Sequence, residues 1–183
     1  SSATRLIALV NDLLDVASLE QGRIKIEPRL VDLGAVTRAV LADVAALVAE
    51  KEHAVSVEGA DVALTTQSDP QLLGQVVLNL VANAIKYTPP GGSLSIAMGR
   101  TANGALRWEI RDTGIGIPLA AQARLFEKFY RADNAATLET EGTGLGLYLV
   151  RLIVERLGGR VWSQSQEGVG STFGFTLPAA EAA

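Results

Sequence analysis

The sequence has no cysteine and a single histidine, His53. Disulfides and thiolate metal sites are therefore excluded, and His53 cannot form a zinc cluster with other histidines. Long apolar runs are missing too, since none approaches the ~20 residues that a membrane helix requires. Residues 1–15 are amphipathic and charged, which is not the pattern of a signal peptide. We therefore expect a cytoplasmic location, and the sequence leaves open whether a parent protein is anchored in the inner membrane.

An excess of charge of either sign is also missing. The 16 Lys and Arg residues against 20 Asp and Glu residues give a net charge of −4. No basic surplus indicates nucleic acid or an anionic membrane as a partner. The composition is typical of a globular protein, with 48% apolar and 20% charged residues. At 183 residues, the chain is long enough for one domain with its own core and an appendage.

The appendage is predicted at the N-terminus. Apolar residues recur there at intervals of four, three and four: Leu6, Val10, Leu13 and Ala17. This spacing predicts a helix over residues 2–21 that packs in a coiled coil or helix bundle. Gly22 suits its C-terminal cap, and the alternation over residues 23–27 predicts a short strand that Pro28 ends. The predicted division is an N-terminal helix 1–22, a linker 23–31, a main domain 32–178 and a tail 179–183.

The main domain changes between helix and strand in an irregular order. Asp32 and the pair Asp69-Pro70 are predicted helix starts, because Asp caps a helix and Pro suits its first turn. Helices are predicted over residues 32–52, 70–87, 118–126 and 143–157. Strands are predicted over residues 53–58, 62–66, 93–99, 105–111, 160–166 and 171–177. This order favours an α/β two-layer sandwich, a mixed β-sheet with about three helices on one face, over a doubly wound sheet.

The first chemical motif lies on the predicted helix 70–87. Asn79, Asn83 and Lys86 are separated by four and three residues and so share one helical face. Two amides and a cation suit a metal–phosphate ligand, because Mg²⁺ takes oxygen donors and shares phosphate oxygens. The alternative is a polar face open to solvent. Asparagine is a poor helix former, however, so that two on one face need a reason.

Two glycine-rich loops follow. In residues 112–117, the Asp112 carboxylate at a strand end can accept a hydrogen bond from the amine of adenine, and the glycines let the backbone approach a ligand. This segment is also consistent with a simple turn. In residues 142–147, alternate glycines precede a helix N-terminus, which suits an anion cradle of backbone N–H groups. A flexible hinge explains this second loop equally well.

Between these loops, residues 126–131 combine aromatic and cationic side chains. Lys128 and Arg131 stand beside the polar stretch 132–141, which suggests a lid with a cationic tip over phosphates. The aromatic residues are equally consistent with a place in the core. For residues 168–173 we favour a hairpin turn with a mostly structural role.

In this order and spacing, the motifs resemble those of the bacterial sensor histidine kinases, in a superfamily with type II topoisomerases, heat-shock chaperone ATPases and mismatch-repair ATPases. The matching segments are an asparagine box at 79–87, glycine boxes at 112–117 and 142–147, a phenylalanine box at 126–129 and the Gly-x-Gly-Ser-Thr-Phe segment 168–173. Residues 9–15 and 19–22 look like the second helix of that family's dimerisation domain and its exit. The resemblance implies a Bergerat α/β sandwich preceded by this one N-terminal helix.

The resemblance also implies ATP as the ligand and Mg²⁺ as the cofactor. Asn83 would coordinate the metal with support from Asn79, and Lys86 and Tyr87 would contact phosphates. Asp112 would bind adenine. The implied ATP-binding residues are Asn79, Asn83, Lys86, Tyr87, Asp112, Gly114, Gly116, Ile117, Lys128, Arg131, Gly142, Thr143, Gly144, Leu145, Gly146, Leu147 and Thr172. The implied catalytic residues are Asn79, Lys86 and Arg131, of which Arg131 would approach the γ-phosphate.

The function that the resemblance implies is transfer of the ATP γ-phosphate to a histidine on the first helix of the dimerisation domain. That dimerisation domain and the receiver domain of a response regulator are the implied partners, and the N-terminal helix would allow a homodimer. His53 departs from the acceptor pattern, because Ala54 follows it instead of an acidic residue. We therefore expect His53 to be a surface or edge residue, the acceptor helix to be absent from this chain, and the chain to bind ATP–Mg²⁺ without phosphorylating itself.

Three other functions are alternatives to that of a histidine kinase. ATPases of the superfamily carry a glutamate general base where this chain has Asn79, and an amide cannot accept the proton, so that only trace hydrolysis is expected. Serine kinases of the anti-sigma type lack the dimerisation helix. A nucleotide-binding or scaffold module of the same fold without kinase activity is the remaining alternative, and the intact boxes weigh against it.

Overall fold

The computed structural model describes residue 10 and residues 13–23, 25–137 and 142–180, except for the side chains of residues 136 and 137. The helices are α1 (residues 13–20), α2 (Leu33–Asp43), α3 (Ala45–Glu50), α4 (Pro70–Tyr87), α5 (Leu119–Gln122), α6 (Asp133–Thr137) and α7 (Gly146–Arg156). The strands are β1 (Arg29–Asp32), β2 (Ala54–Glu58), β3 (Thr65–Ser68), β4 (Ser93–Arg100), β5 (Leu106–Asp112), β6 (Arg160–Gln166) and β7 (Gly170–Leu177). Of the helices in this described part, none is long and apolar enough to cross a bilayer.

The main sheet is mixed and has five strands in the order β2-β4-β5-β7-β6. Strand β2 runs parallel to β4, and the other neighbours are antiparallel. Strand β5 alternates between buried residues and more exposed ones, so one face of the sheet is covered and the other faces solvent. The three longest helices, α2, α4 and α7, cover the inner face. The predicted two-layer α/β sandwich with a mixed sheet is confirmed.

The centre of the core is an aromatic pair on two neighbouring strands. Trp108 of β5 stacks on Phe175 of β7 with ring centroids 5.5 Å apart. The Trp108 indole donates a hydrogen bond to the Thr37 hydroxyl of α2 (3.0 Å), and this hydroxyl donates to the Leu33 carbonyl (2.8 Å). Because the buried polar atoms are paired in this way, α2 is held in one position over the sheet.

Helix α4 begins where the sequence predicts. Asp69 is its N-cap: Oδ1 accepts hydrogen bonds from the backbone N–H groups of Gln71 (2.9 Å) and Leu72 (3.2 Å), and Pro70 follows at the first position. Oδ2 accepts a further bond from the Glu27 N–H (3.1 Å). Burial raises the pKa of Asp69, but these three donors lower it by more, so that it lies below the usual range. The apolar face of α4 is buried, which turns Asn79, Asn83 and Lys86 towards the other side.

Several predicted elements are wrong in part. The predicted strand 62–66 is β3, which begins only at Thr65. Of the predicted helix 118–126 only α5 is helical, because turn bonds such as that from the Arg124 N–H to the Ala121 carbonyl (3.1 Å) follow it.

The described residues of the predicted strand 23–27 do not pair in a sheet. The strand in this region is β1, which begins at Arg29 and pairs with β3. The Glu27 N–H is bound by Asp69 and Pro28 has none, so this backbone cannot join a ladder before residue 29. The predicted helix 32–52 keeps its Asp32 cap but is divided into α2 and α3 at Val44, a buried residue with φ −97° and ψ 4°.

The ends of the domain are tied in more closely than the predicted linker and tail indicate. Arg29–Val31, assigned to the linker, lie in β1. Ala180, assigned to the tail, donates a backbone hydrogen bond to the Thr65 carbonyl (2.8 Å). Residues 181–183 of the tail, and Leu6 of the predicted N-terminal seam, lie outside the described residues. The domain boundaries themselves stay a prediction.

Helix α1 packs on the main domain through a different face from the predicted seam. Val16 and Leu19 are buried in the domain core, whereas the seam residues Val10 and Leu13 are exposed. The Gln75 side-chain amide donates to Asp15 Oδ2 (3.1 Å). The seam is therefore left on the outside of the chain.

A charged cluster secures the end of α1. Glu20 accepts hydrogen bonds from Lys128 Nζ (2.8 and 3.0 Å) and from the Tyr148 hydroxyl (2.5 Å). Lys128 and Arg151 both lie over the Tyr148 ring, 5.4 and 5.1 Å from its centroid. The hydrogen bonds from Lys128 and Tyr148 lower the pKa of Glu20, and the bond to Glu20 raises the pKa values of Lys128 and Tyr148. Because Lys128 and Tyr148 belong to the main domain, Glu20 joins α1 to it.

Glu20→Gln is expected to loosen α1 from the main domain, because the amide oxygen can still accept a hydrogen bond but the negative charge and the second acceptor oxygen for Lys128 are lost. Hydrogen–deuterium exchange of residues 13–22 should become faster, while the core strand β5 keeps its protection. Glu27→Gln is the matched control, since the Glu27–Arg29 pair is fully on the surface and contributes little. Equal exchange in the two variants would show that Glu20 does not hold α1.

Candidate functional site

A cavity of about 390 Å³ opens between α4, the loop after β5 and the start of α7. Most residues of the predicted set line it: Asn79, Asn83, Lys86, Tyr87, Asp112, Gly116, Ile117, Arg131, Gly142, Thr143, Gly144, Gly146 and Leu147. Segments far apart in the sequence thus meet at one place. That these residues bind ATP stays a prediction.

One wall of the cavity carries a buried carboxylate. Asp112 ends β5 and is only 5% exposed. Its Oδ1 accepts hydrogen bonds from the backbone N–H groups of Gly114 (2.8 Å) and Ser171 (3.2 Å). Burial raises the pKa of Asp112, although the two N–H donors lower it in part. Within the described part of the chain no other group is hydrogen-bonded to this carboxylate, so Oδ2 can accept a bond from a ligand.

Two cations also belong to the cavity lining, Lys86 and Arg131. A methyl group added to Gly142 would lie 2.8 Å from Lys86 Nζ and 3.8 Å from Arg131 Cζ, so both side chains reach the same glycine. Arg131 Nη1 lies 3.4 Å from the Gly142 carbonyl oxygen, and Nη2 donates to the Ala135 carbonyl (3.0 Å). Residues 138–141 of the predicted lid lie outside the described residues. The positive charges of Lys86 and Arg131 favour an anionic ligand beside Gly142.

The start of α7 adds backbone donors beside these cations. Among the described residues, the side-chain bond at its N-terminus is from the Leu145 N–H to Thr143 Oγ1 (3.2 Å), and the cap residue Leu145 makes none of its own. The next N–H groups of the first turn, from Gly146 onwards, have no acceptor within the helix and suit an anion. The helix lies so close to α4 that a methyl group added to Gly146 would be 2.8 Å from Asn79 Oδ1. Asn79 is itself oriented by a bond from its Nδ2 to the Gln75 carbonyl (2.9 Å).

Two glycines of the loops are required by close backbone contacts. Gly116 has φ +64°, and a methyl group there would overlap the Gln166 carbonyl. Gly144 has φ +73°, and a methyl group would lie 2.7 Å from the carbonyl carbon of Phe129. L-residues rarely adopt this φ. The glycines therefore allow the loops to pack against β6 and the phenylalanine box at van der Waals distance.

Four residues of the predicted set do not line the cavity: Gly114, Lys128, Leu145 and Thr172. Lys128 is bound to Glu20 instead of facing the cavity. Thr172 points to the opposite face of β7 from Ser171 and Phe173, because side chains alternate along a strand. Leu145 is buried in the core. These four side chains therefore lie away from the cavity surface.

His53 is buried, being 8% exposed, so it is not a surface residue, whereas the alternative of an edge residue agrees with its place directly before β2, an edge strand of the main sheet. Its Nε2 lies 3.2 Å from both the Thr88 and the Pro89 carbonyl oxygens. Strand β2 begins one residue later, at Ala54. The sequence did not reveal this because the two partners lie on a loop 35 and 36 residues away.

Some lining residues were not predicted: Ala84, Ile115, Leu125, Tyr130, Ala132, Asn134, Ala135, Ser171 and Phe173. Ser171 lies opposite Asp112 in the β5–β7 register, and Asn134 Nδ2 donates to the Gly116 carbonyl (2.9 Å). The alternation of β7 in the sequence was the available signal for Ser171 and Phe173. Nothing local marks Asn134.

These features have a counterpart in known proteins. Residues 68–181 match the family of histidine kinase-, DNA gyrase B- and HSP90-like ATPases. This range is more than half of the chain, so the chain belongs to that family. Within it, the similar proteins are two-component sensor histidine kinases, and the chain matches their ATP-binding catalytic domain.

Individual relatives agree with this assignment. The chain is 34% identical over 179 residues to the circadian input-output histidine kinase CikA of Synechococcus elongatus, covering 97% of this chain and 24% of that protein. It is 37% identical over 184 residues to the signal transduction histidine-protein kinase BarA of Escherichia coli K12, covering 96% and 20%. The chain thus spans about a quarter or less of the length of these relatives.

A solved structure shares the fold. Full-length ShkA, determined in complex with AMPPNP, superposes with a TM-score of 0.85 at 30% sequence identity, over 100% of this chain and 37% of that one. The match therefore includes the N-terminal helix as well as the α/β sandwich.

Proposed function

We propose that this chain binds ATP with Mg²⁺ in the cavity and acts as the phosphoryl-transferring part of a protein histidine kinase. The observation that supports this most directly is the polarity of one cavity. Its lining combines a buried carboxylate, Asp112, with two cations and the N-terminus of a helix. An ATP molecule has the matching polarity, with an amine donor on its base and negative charge on its phosphates.

The adenine would lie at Asp112. Oδ1 is held by the Gly114 and Ser171 N–H groups, which leaves Oδ2 to accept from the exocyclic amine. The walls around it are largely apolar and include Ile115, Leu125 and Phe173, which suits the faces of a planar base.

The phosphates would lie between Lys86, Arg131 and the first N–H groups of α7. Phosphoryl transfer depends mainly on positioning and on neutralising charge, and these groups supply both. Tyr87, whose ring lies 4.9 Å from Lys86 Nζ, keeps that ammonium at the cavity wall.

The residues present fit Mg²⁺ on the nucleotide. Asn83 lines the cavity and offers a hard amide oxygen, and Asn79 supports the same helical face. In the described parts of the chain, no group of three or more His, Cys, Asp or Glu residues could hold a metal alone. Mg²⁺ would thus take most of its ligands from phosphate oxygens and water, as it commonly does, and neutralise charge on the phosphates.

The acceptor histidine would come from outside this chain. His53 is the one histidine in the sequence, and it is buried with Nε2 directed at two carbonyls. We therefore propose a separate dimerisation domain as the acceptor, and the receiver domain of a response regulator as the next partner. Exposed Leu13 and Leu14 on α1, with exposed Val10 before it, suit packing against other helices of such a dimerisation domain.

Calorimetric titration with a non-hydrolysable ATP analogue tests the nucleotide site. Binding should be saturable and strengthened by Mg²⁺. Asn83→Ala should remove most of the Mg²⁺ effect, about tenfold in affinity, because a ligand oxygen is lost. Asn103→Ala, in a surface turn, is the control. Absence of binding in a folded sample would contradict the proposal.

A transfer assay tests the chemistry. Radiolabelled ATP is supplied with a dimerisation domain that carries an acceptor histidine as a separate polypeptide. We expect label on that domain and none on this chain, with only trace release of phosphate, because Asn79 cannot act as a general base for water. Stoichiometric label on His53, or rapid hydrolysis, would overturn the assignment.

A further inference from the structure

We infer that Lys51 is a positioning residue for phosphate binding, because together with His53 it holds the C-terminal end of α4, which carries Lys86 and Tyr87. That a phosphate is the ligand rests on the proposed function, whereas the hydrogen bonds made by Lys51 and His53 do not depend on it. Neither residue lines the cavity.

The last carbonyl groups of a helix have no N–H partner within the helix. At the end of α4, Lys51 Nζ donates to two of them, the carbonyls of Ile85 (2.7 Å) and Lys86 (3.1 Å). An ammonium is well suited to this place, since the C-terminal end of a helix carries partial negative charge.

The remaining carbonyls of this end are also paired. The Thr88 N–H donates to the Ala84 carbonyl (3.1 Å), and the Ile115 N–H donates to the Tyr87 carbonyl (3.2 Å). The next two carbonyls, of Thr88 and Pro89, lie 3.2 Å from His53 Nε2. Both partners of this nitrogen are acceptors, so Nε2 carries the hydrogen. The end of α4 is thus completely capped, and the two side chains that reach it from the α3–β2 segment are Lys51 and His53.

The backbone of this segment is bound to the same loop. The Gly91 N–H donates to the Lys51 carbonyl (2.9 Å), and the Ala54 N–H donates to the Gly92 carbonyl (3.0 Å). Lys51 is therefore not a mobile surface side chain that happens to touch α4. It lies in a segment, residues 51–54, whose two ends are hydrogen-bonded to Gly91 and Gly92 of the loop between α4 and β4.

The position of this helix end decides where the phosphate-binding groups lie. Lys51 binds the backbone of Lys86, and the side chain of Lys86 reaches Gly142 beside Arg131. Without the ammonium, the carbonyls of Ile85 and Lys86 would lose their partner and the last turn would fray. Asp112 is held independently, by β5 and by the Gly114 and Ser171 N–H groups. The loss should therefore fall on phosphate binding and spare adenine binding.

The test compares Lys51→Met, Lys51→Arg and the control Lys25→Met, an exposed lysine of the linker. Calorimetry measures the Kd of each for a non-hydrolysable ATP analogue and for adenosine. For Lys51→Met we expect about tenfold weaker binding of the analogue, because a displaced Lys86 would lose about one charged hydrogen bond to a phosphate. Adenosine binding should change by less than about twofold. Lys51→Arg should recover most of the loss, because a guanidinium can also donate to two carbonyls.

Hydrogen exchange provides a measurement that does not depend on nucleotide. The amide of Thr88, which donates to the last turn of α4, should exchange faster in Lys51→Met than in Lys25→Met. If Lys51→Met does not fold, Lys51→Gln, which loses the charge but keeps an N–H donor group, replaces it. Unchanged exchange at this amide, or equal losses for the analogue and adenosine in a folded variant, would overturn the inference. If the unmodified chain binds neither ligand, the proposed function fails, and the exchange comparison still decides the role of Lys51.

Discussion

Asp112→Asn is expected to weaken binding of an ATP analogue by about 100-fold without lowering the Tm of the free chain. The asparagine Oδ1 can still accept from the Gly114 and Ser171 N–H groups. Its Nδ2, however, would present a donor to the adenine amine, which is also a donor. Loss of a charged acceptor together with an unsatisfied donor corresponds to about 3 kcal/mol, hence the factor of about 100.

The Tm follows from the direction of the pKa shift. Burial raises the pKa of Asp112 in the folded chain above its unfolded value. The shift therefore contributes stability below the unfolded pKa, and this contribution is lost as the pH rises through the folded pKa. At neutral pH the buried charge disfavours folding, and the neutral asparagine removes that cost. We expect the Tm to be equal or higher.

The same shift predicts how nucleotide binding depends on pH. Binding to the unmodified chain should weaken on acidification, beginning at a higher pH than for an ordinary aspartate, because the protonated carboxyl is a poorer acceptor. Asp112→Asn should lack this dependence. Calorimetry over a pH series and thermal unfolding provide the measurements. Glu109→Gln, on the outer face of the same strand, is the control, and unchanged affinity in Asp112→Asn would exclude Asp112 from the adenine site.

Gly116→Ala is expected to have the largest effect of any single methyl group at the site. Gly116 has φ +64°, and the added methyl would overlap the Gln166 carbonyl and approach Glu167. The left-handed backbone costs about 1–2 kcal/mol for alanine. Displacing the backbone of β6 raises the destabilisation to about 3 kcal/mol or more. Because the loop and β6 are pushed apart beside Asp112, nucleotide binding should be lost.

Gly104→Ala is the matched control for this variant. Gly104 also has positive φ, +84°, but no atom lies within 4 Å of the added methyl, and the residue is in the β4–β5 turn away from the cavity. It should show the backbone strain alone, a fall in Tm of about 2–8 °C, with unchanged affinity. Equal falls in the two variants would show that the contact with Gln166 is easily relieved.

Local signals predicted much of the fold correctly. Asp69 and Pro70 marked the start of α4, because an N-cap depends only on neighbours two and three residues away. The alternation in strands β4 to β7 and the Asn103-Gly104 turn likewise gave bounds within a residue or so. Such signals fail where the cause is not local. The break at Val44 and the place of β1 follow from packing and from the bond between Glu27 and Asp69.

The sequence by itself determined the class of the fold and the chemical types in the site, because turns, caps and periodicity are written in short segments. It could not determine which partner a charged side chain takes. Lys128 was predicted to face phosphate, yet its partner is Glu20, 108 residues earlier. His53 was predicted at the surface or at an edge, and it lies buried before an edge strand, where it contacts the Thr88 carbonyl after α4. These assignments required the tertiary structure, since only the folded chain brings such distant residues within hydrogen-bonding distance.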